Sequence, residues 1–82
     1  MTQPVTAETV RTDAARHLGI GREQLTPGLL LGEDLGLDSL AGIELSMSLE
    51  ERYQITITDD ELADVSTYGE LEALVLAKVS AR

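Results

Sequence analysis

Only one stretch of this chain, Ile55-Thr56-Ile57-Thr58, alternates apolar and polar residues as a β-strand does, and no second stretch exists to pair with it. A lone strand leaves its backbone donors and acceptors without partners, so a sheet is excluded and the segment is expected as an extended connector. The remaining periodicity is helical. Thr6 to Leu18 sets Val10, Ala14, His17 and Leu18 at helical spacing, which makes a packing face, and Gly19 or Gly21 would stop the helix. Asp38 is a good N-cap for a helix from Ser39 to about Tyr53. Thr58-Asp59-Asp60-Glu61 matches a capping box and opens a short helix to about Asp64. Thr67-Tyr68-Gly69-Glu70 matches another and opens a last helix through about Val79, with Leu71, Leu74, Val75 and Val79 as its buried stripe. The expected fold is all-α, a small four-helix bundle of three longer helices and one short one.

At 82 residues the chain is expected to form one domain over 1–82, with an ordered core over about 6–80. A domain of this size buries only about 60% of its unfolded surface. Phe and Trp are absent and the only aromatics are Tyr53 and Tyr68, so the core is expected to be built from Leu, Ile, Val and Ala. Cysteine is absent as well, which excludes disulfides and cysteine-bearing metal sites. The chain therefore has no thiol of its own. Met1-Thr2-Gln3-Pro4 lacks the basic and apolar regions of a signal peptide, and no stretch approaches the roughly 20 apolar residues of a membrane span. A soluble, cytoplasmic monomer is expected.

The net charge of −9 is unevenly spread: residues 33–72 hold twelve of the acids and a single base, Arg52. Such a surface repels nucleic acid and anionic lipid and favours partners with basic surfaces. A merely solubilising surface is the alternative that charge alone leaves open.

Between Gly19 and Asp38 the chain is broken by Pro27, Gly28, Gly32 and Gly36, yet it holds Ile20, Leu25, Leu29, Leu30, Leu31, Leu35 and Leu37. That is too apolar for a solvated linker, so a long first loop pinned onto the core is expected. Loops longer than about 12–15 residues in a compact domain are uncommon and often functional.

The helix that follows has two apolar faces. At about 100° per residue, Leu45, Leu49 and Tyr53 fall on one side, flanked by the small residues Gly42 and Ser46. Leu40, Ile43 and Met47 fall nearly opposite, flanked by Glu44, Glu50 and Glu51. A surface helix needs one stripe to bury, and burying the second would drag three carboxylates inward. The Leu40–Ile43–Met47 stripe is therefore expected as an exposed ridge, its apolar residues anchoring a basic partner that the acids steer. Burial of both stripes is the alternative.

Ser39 stands at the first position of this helix, where free N–H groups and the helix dipole favour an anion such as a phosphate ester. Asp38 can cap the helix and, in the complex with a modifying enzyme, help to hold a divalent ion. Taken alone, Asp38-Ser39-Leu40 is explained better as a cap followed by an ordinary first-turn residue.

Leu31-Gly32-Glu33-Asp34-Leu35-Gly36-Leu37-Asp38-Ser39-Leu40, followed by Ile43-Glu44-Leu45-x-Met47-x-Leu49-Glu50-Glu51, resembles the acyl carrier proteins. The resemblance covers nearly the whole chain, including the long first loop and Ile57-x-Asp59-Asp60-Glu61. It implies a carrier and not an enzyme. A phosphopantetheinyl transferase would move 4′-phosphopantetheine from coenzyme A onto Ser39 with magnesium, and the arm's thiol would hold acyl groups as thioesters. Asp38 belongs to the modification motif. Leu40, Ile43, Glu44, Met47, Glu50 and Glu51 match the family's partner-facing positions, and Val65 matches a position lining its acyl cavity. The implied partners, besides the transferase, are an acyltransferase, a ketosynthase or an acyl or aminoacyl ligase.

The chain departs from the family's fatty-acid members at Ala41, Gly42, Ser46 and Arg52, which favours a carrier of polyketide or amino-acid-primed assembly. Asp38, with no Gly-Gly pair there, argues against a typical peptidyl carrier. A chain that starts at Met and ends after one domain is expected as a free-standing carrier. A calcium-binding loop begun at Asp34 fails, because Gly36, Ser39 and Leu45 stand where Asp or Asn, Gly and Glu are required. A serine hydrolase fails because Ser39 lacks the second glycine of a nucleophile elbow, and His17, the only histidine, sits in the first helix at the edge of the core. The rival of a different class is an unmodified acidic interaction module that uses the ridge without Ser39.

Overall fold

Thr6 opens the first helix by accepting the Thr9 amide on its side-chain oxygen at 3.2 Å, and Gly19 closes it in the left-handed conformation, φ 73°. The computed structural model describes residues 4–82; Met1–Gln3, the start of the stretch read as lacking a leader, lie outside them. Four α-helices follow one another: α1 Ala7–Leu18, α2 Ser39–Tyr53, α3 Asp59–Ala63 and α4 Tyr68–Ala81, with a short 3-10 turn over Arg22–Gln24 in the first loop. All three expected caps form. Asp38 accepts the Ala41 amide at 2.8 Å, and Thr58 with Glu61 and Thr67 with Glu70 close reciprocal capping boxes. Residues 55–58 run extended without a ladder, and the described residues contain no strand, only one isolated bridge between Leu30 and Thr67.

The core gathers Val10 and Ala14 of α1, Leu45 and Leu49 of α2, and Leu71 and Val75 of α4, with Leu25 and Ile57 brought in from the connecting segments. Each fully buried leucine contributes roughly 1.5–3 kcal/mol relative to exposure. Leu74 and Val79, expected in the α4 stripe, are only half-buried.

Two expectations are corrected. The core is not purely aliphatic: Tyr53 is buried at the end of its stripe on α2, as the helical spacing predicts, and Tyr68 is buried as well. Each ring finds a carboxylate for its hydroxyl at the rim: Tyr53 donates to Asp13, and Tyr68 donates to Glu72 at 3.1 Å. That satisfies the polar end while the ring packs. His17 is exposed and not at the edge of the core. Ala15 is buried beside Ala14, which turns the packing face of α1 towards Leu18 and away from His17.

Candidate functional site

The loop before α2 is held by main-chain hydrogen bonds to the segment that opens α4. The amide of Leu31 donates to Ser66 O at 3.0 Å, that of Tyr68 to Leu29 O at 2.9 Å, and that of Gly69 to Pro27 O at 2.9 Å. Within the loop Asp34 accepts the Leu30 amide at 2.8 Å, the Leu37 amide reaches Leu31 O at 3.0 Å, and Gly36 takes φ 69°, which a glycine adopts without strain. The chain therefore reaches Asp38 along a fixed path. Ser39 follows as the first residue of α2 and is exposed. Asp38 occupies one amide of the first turn, while the other leading amides have no partner inside the helix and remain available to an anion.

Beyond Ser39 the two faces of α2 separate as expected. Leu45, Leu49 and Tyr53 are buried, whereas Leu40, Ile43 and Met47 keep 65%, 40% and 59% of their surface. Glu44 and Glu51 are exposed beside them and Glu50 is half-buried. Ser46, set on the buried side, satisfies its hydroxyl by donating to Ile43 O at 2.8 Å.

A cleft of about 390 Å³ opens beside Ser39. Its walls include Leu31 and Leu37 from the loop, Gly42 from α2, and Leu62 and Val65 at α3. Ile43 belongs to both the ridge and the cleft, so the exposed anchor residues continue into the opening. α3 forms one wall with none of its residues fully buried. Glu61 holds it in place: Oε1 accepts the Thr58 amide at 2.9 Å, and Oε2 lies 2.7 Å from Lys78 Nζ on α4. The hydrogen bond from Lys78, followed by that from the Thr58 amide, holds the Glu61 carboxyl down at about 2. Glu70 is likewise held below the usual carboxylate range by the amides of Thr67 and Ser66.

The structure brings Asp38, Ser39 and Val65 to one cleft and sets the ridge from Leu40 to Glu51 along the helix that borders it. Sequence reasoning missed the Lys78–Glu61 tie and the place of Gly42 in the cleft wall. Lys78 gave no signal, because a pair seventeen residues apart has no local pattern. Gly42 gave one: a glycine inside a helix, on its buried side, with no turn to make.

These features define a small helical domain that presents an exposed serine at a helix start, between an acid-flanked apolar ridge and an apolar cleft. The family model for the phosphopantetheine attachment site matches residues 8–75, which take in all of α2 and α3 and most of α1 and α4. The chain belongs to this family of carrier domains, whose members bear a covalently attached 4′-phosphopantetheine.

Proposed function

We propose that Ser39 bears the phosphopantetheine arm and that the protein carries acyl groups on it as thioesters, delivering them to the enzymes of a polyketide or related specialised-metabolite pathway. The observation that carries this reading is the position of Ser39, exposed at the first turn of α2 on the rim of an apolar cleft. The residues present suit the group. In the loading step Ser39 Oγ attacks the phosphorus of coenzyme A that bears pantetheine. The P–O bond to the nucleotide breaks, adenosine 3′,5′-bisphosphate leaves, and the serine proton passes to a base of the transferase. A phosphodiester on Ser39 would be held at the positive end of α2, whose leading amides would favour its charge. Once attached, the arm supplies a thiol, which this cysteine-free chain lacks.

Asp38 keeps the helix start rigid, so the nucleophile is presented in one orientation, and the half-exposed ridge of Leu40, Ile43 and Met47 with Glu44, Glu50 and Glu51 docks the partners. Those partners are the phosphopantetheinyl transferase and an acyltransferase, ketosynthase or acyl or aminoacyl ligase with a basic docking surface. Val65 and its neighbours line the cleft that shelters the acyl chain. The departures at Ala41, Gly42, Ser46 and Arg52 support a specialised pathway over fatty-acid synthesis, and Asp38 supports an acyl over a peptidyl cargo.

Incubation with coenzyme A and a broad-specificity phosphopantetheinyl transferase, followed by intact mass measurement, tests the assignment. The wild type is expected to gain one arm and Ser39→Ala none. No gain on the wild type, or an equal gain on Ser39→Ala, overturns it in favour of an unmodified acidic interaction module.

A further inference from the structure

Gly42 has no evident backbone reason to be glycine. It lies inside α2 in ordinary helical conformation, and a Cβ built on it would meet nothing within 4 Å. A glycine in a helix interior lowers helix stability relative to alanine. Its position makes the empty space more telling. Gly42 precedes Leu45 by three residues and Leu49 by seven, so it shares the face that is otherwise buried, with Leu45 and Leu49 each 1% exposed. Where that face would continue into the core, it opens on the cleft instead. Gly42 lines the cleft one turn from Ser39, together with Leu62 and Val65.

We propose that Gly42 sets the width of this cleft, and that its missing side chain fits the carrier to acyl groups bearing a branch or a ring, not only to straight chains. The inference rests on the reading of Ser39 as the arm's attachment point. A side chain at this position would project into the space between α2 and α3 that a broad cargo must occupy. A straight chain, being thinner, can still pass along the remaining apolar wall of Leu31, Leu37 and Val65.

The test loads wild type, Gly42→Ala and Gly42→Leu at Ser39 with heptanoyl- or cyclohexanecarbonyl-pantetheine, from the matching acyl-coenzyme A and a phosphopantetheinyl transferase. Two readouts follow: the methyl NMR shifts of Leu62 and Val65, and the rate of thioester cleavage by hydroxylamine relative to the same thioester on free pantetheine. The wild type is expected to shift these methyls and slow cleavage with both cargoes. Gly42→Leu is expected to lose protection of the ring by roughly tenfold, the factor that failing to bury about two methylenes implies, and to keep most protection of the straight chain. Gly42→Ala should fall between them while melting no lower than wild type, so its loss of protection cannot come from unfolding. A ring cargo that the wild type leaves as labile as on free pantetheine overturns the proposal. So does equal protection of the ring by all three proteins. Failure of the wild type to load at all overturns the carrier assignment instead, which keeps the two failures apart.

Discussion

Lys78 reaches across from α4 to Glu61 on α3, its Nζ 2.7 Å from Oε2, while the other oxygen of the same carboxylate accepts the Thr58 amide at 2.9 Å. One side chain thus both caps α3 and ties it to the bundle. Because no residue of α3 is fully buried, these polar contacts and the partial burial of Leu62 hold that wall of the cleft.

The dependence of this attachment on pH follows from its sign. The Glu61 carboxyl sits at about 2 in the folded protein against 4.5 for an unperturbed one. Its contribution is complete above pH 4.5 and is lost progressively as pH falls through about 2, because the unfolded chain takes up the proton first. Thermal midpoints should therefore decline over this window, and Glu61→Gln should flatten the decline attributable to the tie. Hydrogen exchange at neutral pH should show Lys78→Ala loosening α3 while α1 and α2 keep their protection. Unchanged α3 exchange in Lys78→Ala would show that the ion pair is idle surface charge.

Gly69 is a position where alanine should harm the fold. A Cβ there would stand 2.9 Å from Pro27 O and 3.0 Å from Pro27 Cβ, against the same carbonyl that accepts the Gly69 amide. The loop or the start of α4 would have to shift. Overpacking of this kind costs about 1–3 kcal/mol, and the helical preference for alanine returns at most about 1 kcal/mol. Chemical denaturation of Gly69→Ala is expected to show a net loss, accompanied by faster amide exchange at Leu31 and Tyr68.

Tyr53→Phe separates ring from hydroxyl. The ring packs in the core, and the hydroxyl donates to Asp13, which also lies 3.1 Å from Arg52 Nε. Burial, followed by the hydrogen bond to Asp13, pushes the tyrosine hydroxyl above its ordinary range, so it stays protonated as the donor. Loss of this charge-assisted bond should cost about 1.5–3 kcal/mol by urea denaturation, less than the roughly 3–5 kcal/mol of removing a whole aromatic ring.

Most of this architecture is legible in the residues because each helix announces itself locally. Thr58 and Thr67 each stand three residues before a glutamate, Asp38 precedes a long periodic run, and Gly19 supplies the left-handed stop. The exposure of Leu40, Ile43 and Met47 is legible from the carboxylates that flank them, of which Glu44 and Glu51 are exposed and Glu50 half-buried. What stayed hidden depends on contacts between segments far apart in sequence: the bonds from Pro27, Leu29 and Leu31 to the start of α4, and the reach of Lys78 to Glu61. Tyr53 is readable as the end of the Leu45–Leu49 stripe, but its partner Asp13 comes from a distant segment; the burial of Tyr68 has no such pattern, although the carboxylate that takes its hydroxyl, Glu72, stands one turn along the same helix. Val65 was placed by family resemblance, and its side of the cleft exists only once α3 has folded back beside α2.

The two faces of α2 should respond in opposite ways to substitution. Leu45 is 1% exposed, and Leu45→Ala should cost about 2–5 kcal/mol of stability. Leu40 is 65% exposed, so Leu40→Ala should change stability by less than about 0.5 kcal/mol. If the ridge docks partners, Leu40→Ala and Glu44→Lys should both slow loading of Ser39 by the transferase, each for its own reason. Loss of Leu40 removes an apolar anchor, and its effect should persist at high salt. Reversal at Glu44 removes steering between exposed charges, so its effect should be several-fold at low ionic strength and fade as the screening length falls from about 30 Å at 0.01 M to 3 Å at 1 M. Loading rates measured across this salt range on folded variants distinguish the two contributions. Full rates for both variants at low salt would remove the ridge from the docking surface.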